Sequence, residues 1–264
     1  MGATAASSPW SGSPRSLRPL EVSPRVEAVR APADALIDWS WLGSHVPDIA
    51  HLATQHVKLT AIAVAIGLAI SFPVGVVAYR HRKVYAPVSS FAGILYTIPS
   101  LALFALLVPY TGLSTVTAEI GLVSYTLLIL IRNVVAGLDG VPADVREAAR
   151  GMGYTERQLL WRVEVPLAMP VIIAGVRIAT VTTIGLVTVT ALIGQGGLGA
   201  LILQGYRQDF STPATVGAVL SVLLAVAADV VLLAIQRVLT PWTKPAEVRD
   251  VVQRANPAAA VGGA

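Results

Sequence analysis

The chain has 264 residues, of which 55% are hydrophobic and 13% carry a charge, and its mean hydropathy is +0.69. Soluble domains have about 25% charged residues, so this composition excludes a protein that exposes most of its surface to water. The lack of cysteine excludes disulfides, thiolate metal sites and cysteine nucleophiles. None of the three lysines ends a Gly-x-x-x-x-Gly-Lys-Ser/Thr loop, so a nucleotide-binding P-loop is excluded as well.

The N-terminal part of the chain, residues 1–38, is rich in Ser, Pro, Ala and Arg. It contains no apolar run long enough for the core of a signal peptide, and its composition predicts a disordered tail. Residues 243–264 are similarly expected to form a flexible tail. Between the tails, residues 39–242 are predicted to form a transmembrane domain. Trp39 and Trp41 open it, either at the level of the lipid headgroups or packed on a neighbouring loop.

Apolar stretches dominate this domain. They lie at 59–79, 84–109, 120–138, 166–193 and 214–235. A bilayer core about 30 Å thick needs about 20 helical residues. The sequence therefore predicts an all-α polytopic membrane protein with five transmembrane helices. A split of the second stretch at Pro99 would instead give six spans.

The positive charges favour five spans with the N-terminus outside. In that topology the inside segments are 80–83, 139–165 and 236–264, and together they carry eleven Lys and Arg residues. The outside loops and the twenty residues before the first span carry only two, Lys58 and Arg207. Positive residues favour the cytoplasmic side of a membrane. A sixth span would move the later basic loops away from the cluster at 80–83.

The cytoplasmic loop at 139–165 shows two helix starts. Asp144 with Glu147 has the spacing of a capping box, and Thr155 with Gln158 has its usual form. Gly153 is placed to end the first helix in a left-handed conformation. The loop is therefore predicted to form two short helices with a sharp turn. From these local features alone, an amphipathic connector resting on the headgroups fits equally well.

The residue spacing in this loop resembles the EAA signature of permease subunits in binding-protein-dependent ABC importers. The residues Glu-Ala-Ala at 147–149 are followed by Gly153 and then by Val-Glu-Val-Pro at 163–166, where Val163 and Val165 replace the Ile and Leu of the family pattern. In that family the loop is a coupling helix that docks in a cleft of the cytoplasmic ATPase. The resemblance implies the ABC importer permease fold and a set of residues that couple to the ATPase: Glu147, Ala148, Ala149, Gly151, Gly153 and Arg157.

Three further stretches look like the osmoprotectant branch of this family, which serves glycine betaine, choline, carnitine or proline betaine. They are residues 96–103, Arg132-Asn133 and the run Ile-Gly-Gln-Gly-Gly-Leu-Gly at 193–199. The resemblance implies a non-enzymatic subunit in a bacterial inner or plasma membrane, since ATP hydrolysis belongs to a partner chain. The implied partners are cytoplasmic ATP-binding subunits, a second permease subunit, identical or homologous, an extracytoplasmic solute-binding protein and the lipid bilayer.

Neither a cofactor nor a nucleic-acid partner is expected, and no residue is a candidate for catalysis. The glycines at 194–199 are not followed by a lysine, so a tight extracytoplasmic turn is expected there rather than a nucleotide loop. His51 and His56 are five residues apart instead of the four that place two ligands on one helical face, so no metal site is expected. All four histidines are expected to be solvated near the interface.

Four polar residues inside the spans, together with one proline, are candidates for the translocation pathway. They are Tyr96, Thr97, Pro99, Ser100 and Asn133. The alternative for them is ordinary hydrogen bonding between helices.

Two charges, Arg177 and Asp229, also lie inside predicted spans, at similar distances from the cytoplasmic side. Pairing would lower the cost of placing them there. The alternatives are that the arginine snorkels to the surface, that the aspartate is protonated, or that each faces the pathway separately.

Two rival functions stay open from the sequence. A permease of the same fold could serve methionine, taurine or another small solute. An ion-coupled secondary transporter would typically show inverted repeats and ion sites at the midplane, and no such repeat is evident in the sequence.

Overall fold

The computed structural model describes residues 37–243, and over this range the chain consists of helices and connecting turns, with no strand. The predicted tails lie outside the described residues except for positions 37, 38 and 243. The helices are α1 (Trp39–Ser44), α2 (Val46–Arg80), α3 (Arg82–Thr97), α4 (Ser100–Thr111), α5 (Thr115–Asp139), α6 (Ala143–Gly151), α7 (Glu156–Leu159), α8 (Val165–Val189), α9 (Gly199–Gln208) and α10 (Ser211–Leu239). The all-α prediction is confirmed.

Four continuous helical segments within the described range are long and apolar enough to cross a membrane: Val46–Arg80, Thr115–Asp139, Glu156–Ile193 and Ser211–Leu239. Each contains one predicted span and extends beyond it. The first begins thirteen residues before the predicted boundary at 59, because His51 and Lys58 interrupt the apolar pattern without breaking the helix. Charged and polar residues at a helix end lie at the headgroup level, where they cost little.

The second predicted span is not one continuous helix. The chain bends by 94° between α3 and α4. Ile98 adopts an extended conformation (φ −65°, ψ 126°), as does Pro99 (φ −55°, ψ 134°). The ring of a proline disfavours helical geometry in the residue before it and removes a backbone donor, so α3 ends at Thr97 instead of continuing with a kink.

Contacts at both ends of this bent pair show that it passes from one side of the molecule to the other. At one end, Arg82 forms two hydrogen bonds with the carboxylate of Asp139, at 2.9 and 2.5 Å. At the other end, the hydroxyls of Thr111 and Thr117 are 2.6 Å apart. Because α5 runs between those two ends, α3 and α4 together make one broken span, which brings the candidate spans among residues 37–243 to five.

The segments predicted to be cytoplasmic meet at one end of the structure. Arg80 donates to the backbone oxygen of Glu156 at 2.7 Å, and Tyr79 donates to Glu164 at 2.8 Å. The end of α2 therefore lies against the loop between α5 and α8. A sixth span would have separated these segments, so the structure favours the five-span prediction.

The core lies where α2, α5 and α8 pack together. α2 and α5 run side by side in the same direction, and their backbones approach closely at Gly67 and Gly75. A Cβ atom at Gly67 would lie 2.0 Å from the Thr126 hydroxyl, and one at Gly75 would lie 2.6 Å from Val134. Small residues at such crossings let membrane helices pack tightly. α10 packs on α8 and α9 and leaves most of its apolar surface exposed, as expected for a helix that faces lipid.

The opposite end of the molecule contains the predicted glycine turn and one element that the sequence analysis missed. Gly194 and Gly197 have positive φ angles of 80° and 46°, which confirms the tight turn. The helix α9 then follows and packs on α10. Trp41 stacks on His45 and meets the edge of Phe210, whereas Trp39 is largely exposed. Trp41 thus packs on the loop before α10, as one of the two alternatives expected.

The expectation that all histidines are solvated is wrong for His56. Its side chain is fully buried, and its Nε2 lies 3.0 Å from the backbone oxygen of Ile184. The helix α2 begins earlier than predicted, so this residue lies within the packed bundle instead of before it.

Candidate coupling loop and translocation pathway

The first helix of the coupling loop, α6, begins at Ala143, with Pro142 in the capping position. The prediction that Asp144 caps this helix is wrong. Proline has its φ fixed near the required value and needs no donor at a helix start, so it sets the boundary two residues earlier. Asp144 lies in the first turn, where its charge still stabilises the helix dipole.

Gly153 ends α6 in the predicted left-handed conformation, with a φ of 86°. Its N–H donates to the oxygen of Arg150 at 2.9 Å, and the N–H of Tyr154 donates to the oxygen of Ala149 at 3.2 Å. This pair of bonds is a Schellman motif, which requires a residue that tolerates positive φ at this position. The turn reverses the chain within three residues and starts α7.

The second helix begins with the predicted capping box. The Thr155 hydroxyl accepts from the Gln158 N–H at 3.4 Å, and the Gln158 side chain accepts from the Thr155 N–H at 2.9 Å. The helix does not end as a separate short element. α7 continues through a π-helical segment, Leu160–Glu164, directly into α8. π-helical turns are rare, and they are frequent at functional sites.

The predicted coupling residues are not all on the surface of the loop. Ala149 is buried, with 2% of its area exposed, because adjacent residues of a helix point about 100° apart and this one faces the protein. The remaining five are exposed: Glu147, Ala148, Gly151, Gly153 and Arg157. Met152, between the two glycines, is 71% exposed and adds an apolar side chain at the tip of the loop.

The side chains of α6 are linked to the membrane helices by a chain of hydrogen bonds. Arg146 donates to the hydroxyl of Tyr79 at 2.7 Å, and that hydroxyl donates to the carboxylate of Glu164 at 2.8 Å. Glu164 is buried within the π-helical segment. The chain thus joins α6, the end of α2 and the start of α8 at one point.

An ion pair ties the two short helices to each other at the surface. The Arg150 Nε lies 3.0 Å from the Glu156 carboxylate. This hydrogen bond raises the pKa of the Arg150 guanidinium above its ordinary value. Both side chains are more than half exposed, so the pair adds little stability, but it spans the turn at Gly153.

Four of the five candidate pathway residues lie together at the break between α3 and α4. They line a cavity of about 270 Å³ with side chains from two other helices. The lining residues are Tyr96, Thr97, Ile98, Pro99, Ser100, Tyr125, Thr182 and Leu186. The ring of Tyr125, on α5, lies 5.8 Å from the ring of Tyr96 at an angle of 70°.

Asn133 does not reach this cavity. Its side chain packs against α8, where a Cβ atom at Gly175 would lie 2.4 Å from it, and its amide donates to the oxygen of Ile129 in its own helix at 2.8 Å. Its hydrogen bond stays within α5, so the structure shows for Asn133 neither a place in this cavity nor the hydrogen bond between helices that was the alternative.

A second cavity adjoins the first along α8. It has a volume of about 440 Å³, and its lining includes Arg177, Asp229 and Thr182, the last of which also lines the first cavity. The structure brings the two charged side chains together. The Arg177 Nε and Nη2 donate to the two carboxylate oxygens of Asp229 at 2.9 and 2.8 Å, which is the bidentate geometry of a strong pair.

Gln236 extends this pair toward the cytoplasmic end. Its side-chain oxygen accepts from Arg177 at 3.3 Å, and its amide nitrogen donates to the backbone oxygen of Pro170 at 3.1 Å. The network therefore holds α10 to α8 at two levels.

Comparison with known proteins places this arrangement in a family. Residues 61–245 match the family described as binding-protein-dependent transport system inner membrane component. The chain belongs to this family. It is a multi-pass component of a bacterial inner membrane, and the resemblance found in the loop sequence is confirmed.

Individual relatives are similar over most of the chain. The chain is 41% identical over 198 residues to the osmoprotectant import permease protein OsmW of Salmonella typhimurium, a match that covers 73% of this chain and 92% of the relative. It is 34% identical over 205 residues to the glycine betaine/carnitine/choline transport system permease protein OpuCB of Bacillus subtilis, covering 76% and 93%. Among solved structures, a chain from inward-facing conformations of the MetNI methionine ABC transporter matches with a TM-score of 0.65 and 25% identity, covering 73% and 96%.

Several residues around these sites of the permease were missed by the sequence analysis. Tyr125 lies in the middle of an apolar span. The sequence there does not distinguish a residue that lines a cavity from one that is packed in the core. Tyr79, Arg146 and Glu164 are far apart in sequence, so no spacing rule joins them. Gln236 lies seven residues beyond Asp229, which is about two helical turns. Only the observed side-chain contacts show that it reaches Arg177.

Proposed function

We propose that this chain is the permease subunit of an ATP-driven importer for a compatible solute that carries a quaternary ammonium group, such as glycine betaine, choline, carnitine or proline betaine. The observation that carries the proposal is the set of relatives named for osmoprotectants, which are 34–41% identical and cover at least 59% of this chain. The family match extends over residues 61–245 and is therefore not limited to one motif.

The coupling loop is the proposed docking site for a cytoplasmic ATP-binding subunit. Its exposed surface combines charged Glu147 and Arg157 with small residues and the apolar tip at Met152. Since the sequence contains no P-loop, ATP hydrolysis is assigned to that partner. The hydrogen-bond chain through Tyr79 would carry a displacement of α6 to both α2 and α8.

Two more partners complete the proposal. Five spans are few for a closed pathway, and the cavities at Tyr96 and Arg177 are open instead of enclosed. A second permease subunit, identical or homologous, would close them. The name of the family implies a binding protein, which would deliver solute at the end that holds α9.

The rival functions are less well supported. The methionine transporter shares the fold at 25–27% identity, below the relatives named for osmoprotectants. An ion-coupled secondary transporter would not need a docking loop with a constrained turn, and the family match argues against it.

Uptake measurements test the proposal. The chain is expressed together with candidate ATPase and solute-binding subunits from the same organism, in a host that lacks its own osmoprotectant importers. We expect uptake of radiolabelled choline or glycine betaine that stops on ATP depletion and survives a protonophore when ATP is maintained. Uptake of methionine or taurine with no uptake of quaternary ammonium solutes would contradict the substrate class. Transport driven by an ion gradient without ATP would contradict the mechanism.

A further inference from the structure

We propose that Tyr96 and Tyr125 form a low-affinity transit site for the quaternary ammonium group of the solute, at the break between α3 and α4. The proposal rests on the proposed function for its substrate class. The sequence alone supplies only candidate positions along the translocation pathway. The binding site among them is formed by two aromatic rings within the membrane.

The two rings meet edge to face in the lining of the cavity. Their centroids are 5.8 Å apart and their planes are inclined at 70°. A cation in the angle between them can lie close to the face of one ring and within reach of the other. Quaternary ammonium ions bind to aromatic faces because the ring quadrupole attracts the charge and the methyl groups need no hydrogen bonds.

The break in the helix holds one of these rings in place. Where α3 ends, the backbone oxygen of Ile98 has lost its helical partner, since the following residues are extended. The hydroxyl of Tyr125 donates a hydrogen bond to that oxygen. The side chain of Tyr125 is 5% exposed, so packing and the hydrogen bond together fix its orientation.

Tyr96, in contrast, is accessible. It is 40% exposed and precedes the break by two residues. One ring is thus anchored in the bundle and the other borders the open side of the cavity. A solute that enters the cavity therefore meets the Tyr96 ring first.

Polar groups in the same cavity suit the other end of such a solute. The hydroxyls of Ser100 and Thr182 line it, and neither has a hydrogen-bond partner within the described part of the chain. A hydroxyl can donate to a carboxylate or accept from an alcohol. The cavity can therefore accommodate solutes that share the trimethylammonium group and differ at the opposite end.

The lining of this cavity carries no charged side chain. A carboxylate in the lining of this cavity would hold the solute cation tightly, and it would also attract smaller inorganic cations. Aromatic rings attract a cation by a smaller amount. A permease needs a site that favours the solute enough to admit it and releases it afterwards, and an uncharged aromatic site meets both needs.

A comparison of two isosteric probes tests the site. Choline and 3,3-dimethylbutan-1-ol have the same shape, but only choline carries a charge. Their binding is measured by saturation-transfer NMR on the complex of permease and ATPase subunits in nanodiscs. The binding protein is left out so that it does not bind the probes. In the wild type we expect choline to bind about tenfold more tightly than the neutral isostere, within the range of a desolvated cation–π interaction.

The variants then assign that preference to the rings. Tyr96→Leu should abolish it, whereas Tyr96→Phe should keep it because the aromatic face remains. Tyr110→Leu serves as the control, since Tyr110 is 85% exposed on α4 and does not line the cavity, and it should behave as the wild type. Tyr125→Leu should also abolish the preference for choline. Because Tyr125 is buried, this variant can fold poorly, and Tyr96→Leu then provides the same test at an exposed position.

The outcomes separate this inference from the proposed function. If the wild type takes up choline with ATP but binds both probes equally, the transit site is refuted and the function stands. Persistence of the preference in Tyr96→Leu refutes the site in the same way. If the wild type takes up no quaternary ammonium solute, the proposed function fails, and the inference that depends on it fails too.

Discussion

Replacement of Gly153 by alanine is expected to weaken the binding of the ATPase subunit to the permease. Gly153 has a φ of 86°, in the left-handed region. A Cβ atom at this position would have no neighbour within 4 Å. Steric conflict with other residues is therefore absent, and the substitution tests the backbone conformation alone.

The size of the effect follows from the cost of that conformation. A left-handed residue other than glycine costs about 1–2 kcal/mol. The alanine variant will relax toward a different turn unless ATPase binding holds the native one. The apparent dissociation constant rises in inverse proportion to the fraction of loops in the competent conformation, so we expect an increase of about fivefold to thirtyfold. Gly153→Asn should show a smaller increase, because asparagine tolerates this region.

Gly194 provides a matched control. It is also left-handed, with φ 80° and ψ 9°, and a Cβ atom there would also have no neighbour within 4 Å. Gly194→Ala therefore imposes a similar strain at the opposite end of the molecule. Purified permease variants in nanodiscs are immobilised, and the ATPase subunit is titrated by biolayer interferometry, with membrane levels measured in parallel.

The reasoning is refuted if Gly153→Ala binds the ATPase as tightly as the wild type does. It is also refuted if Gly194→Ala weakens ATPase binding to the same extent, because the effect would then reflect a general loss of stability and not the position of the coupling loop.

The remaining predictions concern the ion pair, the topology and the hydrogen-bond chain. Arg177→Ala or Asp229→Ala alone should lower membrane yield and transport more than the double substitution does, because each single change leaves one charge without its partner. A functional pair would be excluded if the effects of the single changes simply added in the double variant and if exchanging the two residues restored nothing. In intact cells, an impermeant thiol reagent should label Tyr206→Cys and not Arg150→Cys, and strong labelling at position 150 would overturn the topology. Tyr79→Phe removes the bridging hydroxyl, and we expect normal ATPase binding with reduced transport per ATP hydrolysed; an unchanged ratio would show that the chain carries no coupling.

The number of spans and their arrangement were predictable because hydrophobic length and positive charge report directly on the bilayer. The break at Pro99 was not, because proline inside an apolar run is compatible with either a kink or a complete interruption, depending on whether a neighbour satisfies the freed backbone groups. Tyr125 supplies such a partner for Ile98. That partner lies 27 residues away in sequence, so no local pattern shows it.

The coupling loop illustrates the same limit on a smaller scale. The capping box at Thr155 and the turn at Gly153 are set by local chemistry, and both were predicted from residue type. The capping pattern at Asp144 misplaces the start of α6, because Pro142 two residues before it sets the boundary of the helix. Which alanine of the pair at 148 and 149 faces the partner depends on how the helix packs, and only the structure provides that.

The bond between Tyr125 and Ile98 has a consequence for how the chain enters the membrane. α3 has 16 residues and α4 has 12, or about 24 and 18 Å, so neither crosses a 30 Å core alone. During synthesis, both are made before the tyrosine that satisfies the break. We therefore expect the second span to reach its final position only after α5 lies beside it, so that α3, α4 and α5 assemble together.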